Sequence, residues 1–292
     1  MKGRLGRLLQ QWFRPTIEQR IAGRSTQELE GRTRAHRLCE EFFASGRAAS
    51  HTTDPRRASE FSPRIWVYWA QGKDRMPPVV ASCLKRLHAV NRDIEIVLLD
   101  DLNISGHVQL PAHVVERAFG NKTHFSDILR VSLLARHGGV WLDGTCFCGS
   151  PISAMLPKVR RSGFFAYYRN PPDPYLLSSW FMVAEPGHLI PTLLRDVLYF
   201  HWERESVLKD YFLLHFLFEA LYNLHREFRK SWDRSFRLDA YRPHLLQGKL
   251  RDRFDPIEWE SILSSCTIHK LTYKLGPEKV DDDSYLAQVL RA

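Results

Sequence analysis

The apolar positions along the chain change period several times, and the changes mark an alternation of strands and helices. Ile65-Trp-Val-Tyr-Trp69 is an unbroken β-branched and aromatic run ending in Ala-Gln-Gly, which predicts a buried strand and a turn. From Pro77 to Ala89 the apolar residues Val79, Val80, Cys83, Leu84 and Leu87 fall at helical spacing, with proline in the first turn. Ile94 to Asp100 reads as a second strand. Strand, helix and strand together predict a right-handed parallel βαβ unit. Leu110 to Phe119 is a short helix. From Thr123 the helical period returns, with Ile128, Leu129, Val131, Leu133, Leu134 and Ala135 forming a broad apolar face. Ser126 is a fitting N-cap and Gly138 suits the left-handed C-terminal position. Val140-Trp-Leu142 then predicts a short buried strand that ends on Asp143, with Gly144 allowing a turn beside it.

Further along, Phe164–Tyr168 and Ser178–Ala184 predict two more strands, and Leu189–Trp202 a helix. Val207–Leu224 reads as an unusually apolar helix with Asp210 in its first turns, where the macrodipole favours an acid. His215 and Glu219, four apart, form a polar stripe on it. Residues 226–256 are basic and carry no motif. Ahead of the first strand, Thr16–Ala44 is helical with Ile21, Leu29, Leu38, Phe42 and Phe43 inward, and the stretch up to Pro63 reads as a linker. The pattern divides the chain into a basic helical appendage over residues 1–62 and an α/β domain over 63–292.

Hydrophobic content of 44% is enough for a sizeable core. No apolar run reaches the ~20 residues that span a bilayer, and the first residues lack the apolar stretch of a secretory signal. Five cysteines without a paired C-x-x-C spacing point to a reducing compartment, and Cys146-x-Cys148 to strand packing. The expected location is therefore cytoplasmic. Residues 1–60 hold twelve Lys/Arg against seven Asp/Glu, a surplus of five within the net +9. Leu5, Leu8, Leu9, Trp12 and Phe13 alternate with Lys2, Arg4 and Arg7. Such a segment can lie on an anionic membrane surface, or it can be a solvated or docked helix. Nucleic acid is not an expected partner, because the basic residues gather in this appendage and do not interleave with aromatics on one element.

Candidate chemistry gathers around Asp143. Open α/β sheets bind ligands just beyond the C-terminal ends of their strands. Asp127 and Arg130, three apart, share a helix face and can grip a diol, a ribose or a phosphate; the same spacing also produces ordinary surface ion pairs. Trp66 and Trp69 point to opposite faces of their strand, and Trp69, at its C-terminal end, is the one expected to face a ligand. Asp100 and Asp101 could reach a ribose or cap the following turn.

Ser126-Asp127-x-x-Arg130 followed by Gly138-Gly139-x-Trp141-x-Asp143 resembles the nucleotide-sugar signature of glycosyltransferase family 32. The likeness is greater still to its bacterial capsular polysaccharide synthesis branch, and the large clostridial glucosylating toxins share the same core. The central block covers about 25 residues, and the order of features extends the likeness over roughly Pro63 to Tyr273.

The resemblance implies a GT-A-type core on one parallel-rich sheet with helices on both faces. It implies transfer of a sugar from a nucleotide diphosphate sugar to a hydroxyl of a polysaccharide or lipid-linked glycan, with retention of configuration. Trp69 would stack the base, and Asp127 with Arg130 would hold ribose and sugar. Asp143 and Arg130 would be the catalytic pair, and His269 and Lys270 would stabilise the departing diphosphate. Ser179 and Trp180 fall where such enzymes face the acceptor, and Asp210-Tyr-Phe matches a recurrent segment. The implied cofactor is Mn²⁺ or Mg²⁺ on Asp143. One departure bears on it: the second acid of the family's Asp-x-Asp is Thr145 here, a weaker ligand. Either Asp143, the diphosphate and a late acidic group such as Asp281–Asp283 hold the metal, or Arg130, His269 and Lys270 serve instead. The alternative reading is a nucleotide-sugar-binding subunit that has lost turnover.

Overall fold

The computed structural model describes residues 26–47, 63–169, 175–275 and 281–292. Its strands are β1 (Arg64–Tyr68), β2 (Glu95–Leu99), β3 (Gly139–Asp143), β4 (Cys146–Cys148), β5 (Phe164–Tyr168), β6 (Leu177–Ala184) and β7 (Ile268–Lys270). The helices are α1 (Thr26–Ala44), α2 (Pro78–Val90), α3 (Ala112–Ala118), α4 (Lys122–His137), α5 (Leu156–Val159) and α6 (Leu189–Arg204). They continue with α7 (Leu213–Leu224), α8 (Arg226–Asp233), α9 (Leu245–Lys249), α10 (Pro256–Ser265) and α11 (Tyr285–Arg291).

Five strands form one sheet in the order β2-β1-β3-β6-β5, and β4 pairs with β7 in a small second sheet. The predicted βαβ unit is present, with β1 parallel to both β2 and β3. The far half is antiparallel, β3 to β6 and β6 to β5. The α/β core with helices on both faces is as expected; its sheet is parallel where β1 and β3 lie side by side. There Tyr68 stands opposite Asp143, so two strand ends open at one edge.

Strand alternation sorts the core into two layers. Trp66, Tyr68 and Trp141 face the layer that holds Phe125, Leu129 and the buried sides of α6 and α7. Ile65, Val67, Val140 and Leu142 face the other, with Leu84 and Leu87 of α2. A third cluster, around Phe147, Trp259 and Tyr285, joins α10 and α11 to β4.

The expected division at residue 62 would separate α1 from the core cluster it packs in. Helix α1 is part of the main core: Ala35, Cys39 and Phe42 are buried in the same cluster as Trp66 and Trp141. A Cβ on Gly31 would lie 2.5 Å from the Phe216 ring, so α1 sits tightly on α7. Arg34 grips Asp210 with Nε and Nη2 at 3.0 and 2.5 Å, and Arg32 pairs with Glu219. Leu29, expected inward, is exposed. Residues 1–13, with their basic amphipathic pattern, Ile21 and most of the expected linker lie outside the described residues.

Two helix starts differ from the sequence pattern. The α4 cap is Asn121, whose side chain accepts from the His124 amide, while the Ser126 hydroxyl donates to the Thr123 carbonyl inside the helix. Helix α7 begins at Leu213, and Asp210 lies before it as the partner of Arg34. The ion pair with α1 outweighs the macrodipole as the reason for an acid there.

Candidate active site

The glycine pair between α4 and β3 sets the geometry. Gly138 and Gly139 have φ of 63° and 102°, a region that residues with a Cβ avoid. A Cβ on Gly138 would lie 2.7 Å from the Ala184 carbonyl, and one on Gly139 2.5 Å from the Arg64 carbonyl. The chain thus reverses from helix to strand within two residues, against its neighbours' backbone. The reversal brings Arg130, two turns from the helix end, beside Asp143 at the end of the strand.

Six side chains form one connected series. The Arg130 guanidinium, 3% exposed, donates to Asp127 through Nη1 and to Asp143 Oδ1 through Nη2 at 3.0 Å. Trp141, two residues before Asp143 on the same face, donates its indole Nε1 to the same oxygen at 3.0 Å. The guanidinium carbon lies 5.1 Å from the centre of that indole ring, a cation–π contact. Asp143 Oδ2 is 3.5 Å from Lys270 Nζ, which also donates to the Thr145 hydroxyl. Lys270 is held there by strand pairing: it stands opposite Cys146 in the β4–β7 ladder, and the Leu271 amide donates to the Thr145 carbonyl at 2.9 Å. Burial alone would lift the Asp143 carboxyl, but Lys270 and Arg130 hold it below the usual range. Asp127 behaves oppositely: burial outweighs Arg130 and pushes it up to about 6.

Above this series lies a cleft of about 250 Å³, walled by residues at the C-terminal ends of β1 and β3, the first turns of α4, and Lys270 with Tyr273. Trp69 lies on its wall, edge-to-face with Tyr273 at 5.4 Å. A Cβ on Gly144 would meet the Trp69 ring at 3.4 Å, so the indole rests on the backbone just past Asp143. Lys122 and Tyr68 also line the cleft; Lys122 binds Asp101 at 2.7 Å, and the Tyr68 hydroxyl donates to Asp101 at 2.6 Å. Asp100 has the other predicted use: its Oδ1 accepts the Leu102 and Asn103 amides and caps the turn.

The structure therefore brings Trp69, Asp143, Thr145 and Lys270 to one cleft. It places Asp127 and Arg130 one layer below, as the buttress of Asp143 and not as cleft-lining groups. His269 is not part of the site. Alternation along β7 turns its ring away from Lys270, into the interior against the Leu263 carbonyl and Cys266. Burial pushes it down to about 4, so it is a neutral core residue at pH 7 and supplies no cation. Trp180 is buried, stacked on Tyr167, and does not line the cleft, nor does its neighbour Ser179. The late acids lie elsewhere: Asp283 pairs with Arg253, and Asp281 turns the chain into α11.

The donor set does not fit a divalent cation. Asp143 Oδ1 already accepts from Arg130 and Trp141, and the Lys270 ammonium stands 3.5 Å from Oδ2 and donates to the Thr145 hydroxyl, so a cation here would lie against two positive charges. Among the described residues no three His, Cys, Asp or Glu side chains converge to ligate an ion. Lys122, Trp141 and Tyr273 were missed by sequence reasoning. Trp141 stood inside the matched block, but its apolar neighbours marked it as core; Lys122 and Tyr273 have no local signal.

The curated O-glycosyltransferase braB of Annulohypoxylon truncatum is 23% identical over 137 residues, which take in 42% of this chain and 30% of that protein. The chain thus spans under a third of that relative's length. Among solved structures, the PaToxG glycosyltransferase superposes with a TM-score of 0.42 at 14% identity, over 69% of this chain and 84% of the other. A glycosyltransferase involved in the glycosylation of the major capsid of PBCV-1 gives 0.38 at 10% identity, over 78% and 98%. The family model described as capsular polysaccharide synthesis protein matches residues 26–289, from the first described helix into the last. The chain belongs to the capsular polysaccharide synthesis protein family.

Proposed function

We propose that this protein is a glycosyltransferase that moves a sugar from a nucleoside diphosphate sugar to a hydroxyl of a polysaccharide or lipid-linked glycan. One observation carries the reading: an aromatic wall, Trp69 with Tyr273, stands in the same cleft as a cation and a carboxylate, Lys270 with Asp143. A base stacks on the first, worth about 1–3 kcal/mol. A diphosphate pairs with the ammonium, while the carboxylate orients it and meets sugar or ribose hydroxyls. Membership of the capsular polysaccharide synthesis family supports a glycan product.

In this reading the bond between the anomeric carbon and the β-phosphate oxygen breaks, its electron pair staying on the phosphate. The acceptor oxygen bonds to the same face of the anomeric carbon, and its proton passes to the leaving diphosphate. Retention follows without a covalent enzyme intermediate. Lys270 offsets the charge that grows on the diphosphate, and Arg130 keeps Asp143 ionised and aimed. Among the described residues no helix is long and apolar enough to cross a membrane. The reading puts the protein on the cytoplasmic side, meeting a lipid-linked acceptor at the membrane surface through residues 1–13.

The test is a screen of UDP-, GDP- and CMP-sugars by tryptophan fluorescence, followed by assay of free sugar and nucleotide. The expected result is saturable quenching by one base class and slow release of sugar from that donor. Binding without release, even with glycan acceptors added, would favour a binding subunit over an enzyme.

A further inference from the structure

We propose that Lys270 takes the place of the divalent cation, so that donor binding in this protein is independent of metal. The inference rests on the donor-site reading above. Its observation is the connected series itself. The two positions that would offer carboxylates to a metal are Asp143 and Thr145, and one ammonium bridges them.

Three features make the lysine a built-in cation and not a side chain resting in an empty metal site. First, its position is set by backbone: the Cys146–Lys270 register and the Leu271 to Thr145 bond hold its Cα beside the acid. Second, the charges balance. Asp127 and Asp143 are matched by Arg130 and Lys270, and a divalent ion on Asp143 would have to displace Lys270 or sit against it. Third, the substitution of acid by hydroxyl at position 145 suits the lysine. A second carboxylate would leave the series one charge negative, whereas the threonine hydroxyl accepts a hydrogen bond without adding charge. An ammonium has three N–H donors; Asp143 and Thr145 use two, and one remains for a diphosphate oxygen in the cleft that Lys270 lines.

The experiment is calorimetric titration of the full chain with UDP, GDP and CDP, in excess EDTA and in Mn²⁺. The best nucleoside diphosphate should bind within about twofold in the two buffers. Lys270→Met should weaken it about ten- to hundredfold in EDTA, the worth of one charge-assisted bond, with no effect on the matching nucleoside. A thermal melt checks that the variant is folded. If it is not, Thr145→Asp combined with Lys270→Ala serves: it rebuilds an acid pair, and it should bind Mn²⁺ by paramagnetic resonance and bind diphosphate only with Mn²⁺. Tenfold or greater tightening of the unaltered protein by Mn²⁺, with Lys270→Met binding as the parent does, would overturn the inference and leave the donor site standing. Failure of every nucleoside diphosphate to bind in either buffer would remove the donor site and the inference with it.

Discussion

Three donors from three elements converge on Asp143: Arg130 from α4, Trp141 from β3 and Lys270 from β7. The acid's place was legible in the sequence, because an apolar run that stops at a lone carboxylate marks a strand end. Its partners were legible only in part. Arg130 follows from helix spacing, but the choice between His269 and Lys270 rests on parity along a strand of three residues, which no local pattern sets. Trp69 is argued at the same scale. Replacing Trp69 with alanine should weaken nucleotide binding about fivefold to a hundredfold, the loss of one stacked base, with little change in melting temperature. Trp66, buried with its indole bonded to the Gly138 carbonyl, should behave in the opposite way: truncation should lower stability by about 3–5 kcal/mol. Calorimetry and thermal melts of the two variants check both statements.

At the scale of elements, the helix–strand reversal at Gly138-Gly139 is what makes a site from α4 and β3. The pattern showed that a turn was needed there, yet not that both glycines lie against foreign backbone. Gly139→Ala should cost at least about 2 kcal/mol, since positive φ and the Arg64 carbonyl both oppose a Cβ. A melting point lowered by roughly 4–8 °C is the expected reading. Gly187 gives the control: its φ is 74° but no atom lies within 4 Å of a Cβ, so Gly187→Ala should cost about half as much. Equal losses would show that the backbone approach at Gly139 does not matter. The start of α4 was misread because Asn121 caps it from within a polar stretch, whereas Ser126 stands nearer the apolar face that the pattern reveals.

For the whole molecule, the sequence showed the α/β alternation but not how its first helix would dock. Helix α1 joins the core through Asp210, Phe216 and Glu219, contacts more than 170 residues away, and its own polar surface reads as an appendage. Burial also gives the molecule a collective response to acid. His124 and His215 are pushed down to about 3, and His188, His201 and His269 to about 4, in each case chiefly by burial. Each folded value lies below the unfolded 6.5. Their contribution to stability is therefore complete above pH 6.5 and is lost as pH falls from there towards 4. Asp127, raised to about 6, works in the other direction as a single group. Melting temperature should rise steeply between pH 5 and pH 7, with net proton uptake on unfolding in that window. A flat profile would contradict the neutral, buried state of these rings.

The most direct test of the central claim replaces Asp143 with asparagine, which keeps the shape and removes the charge that Arg130 and Lys270 share. With the donor found by the screen, release or transfer of sugar should fall about a hundredfold or more. A folded Asp143→Asn protein that turns over donor at the parent rate would contradict the account.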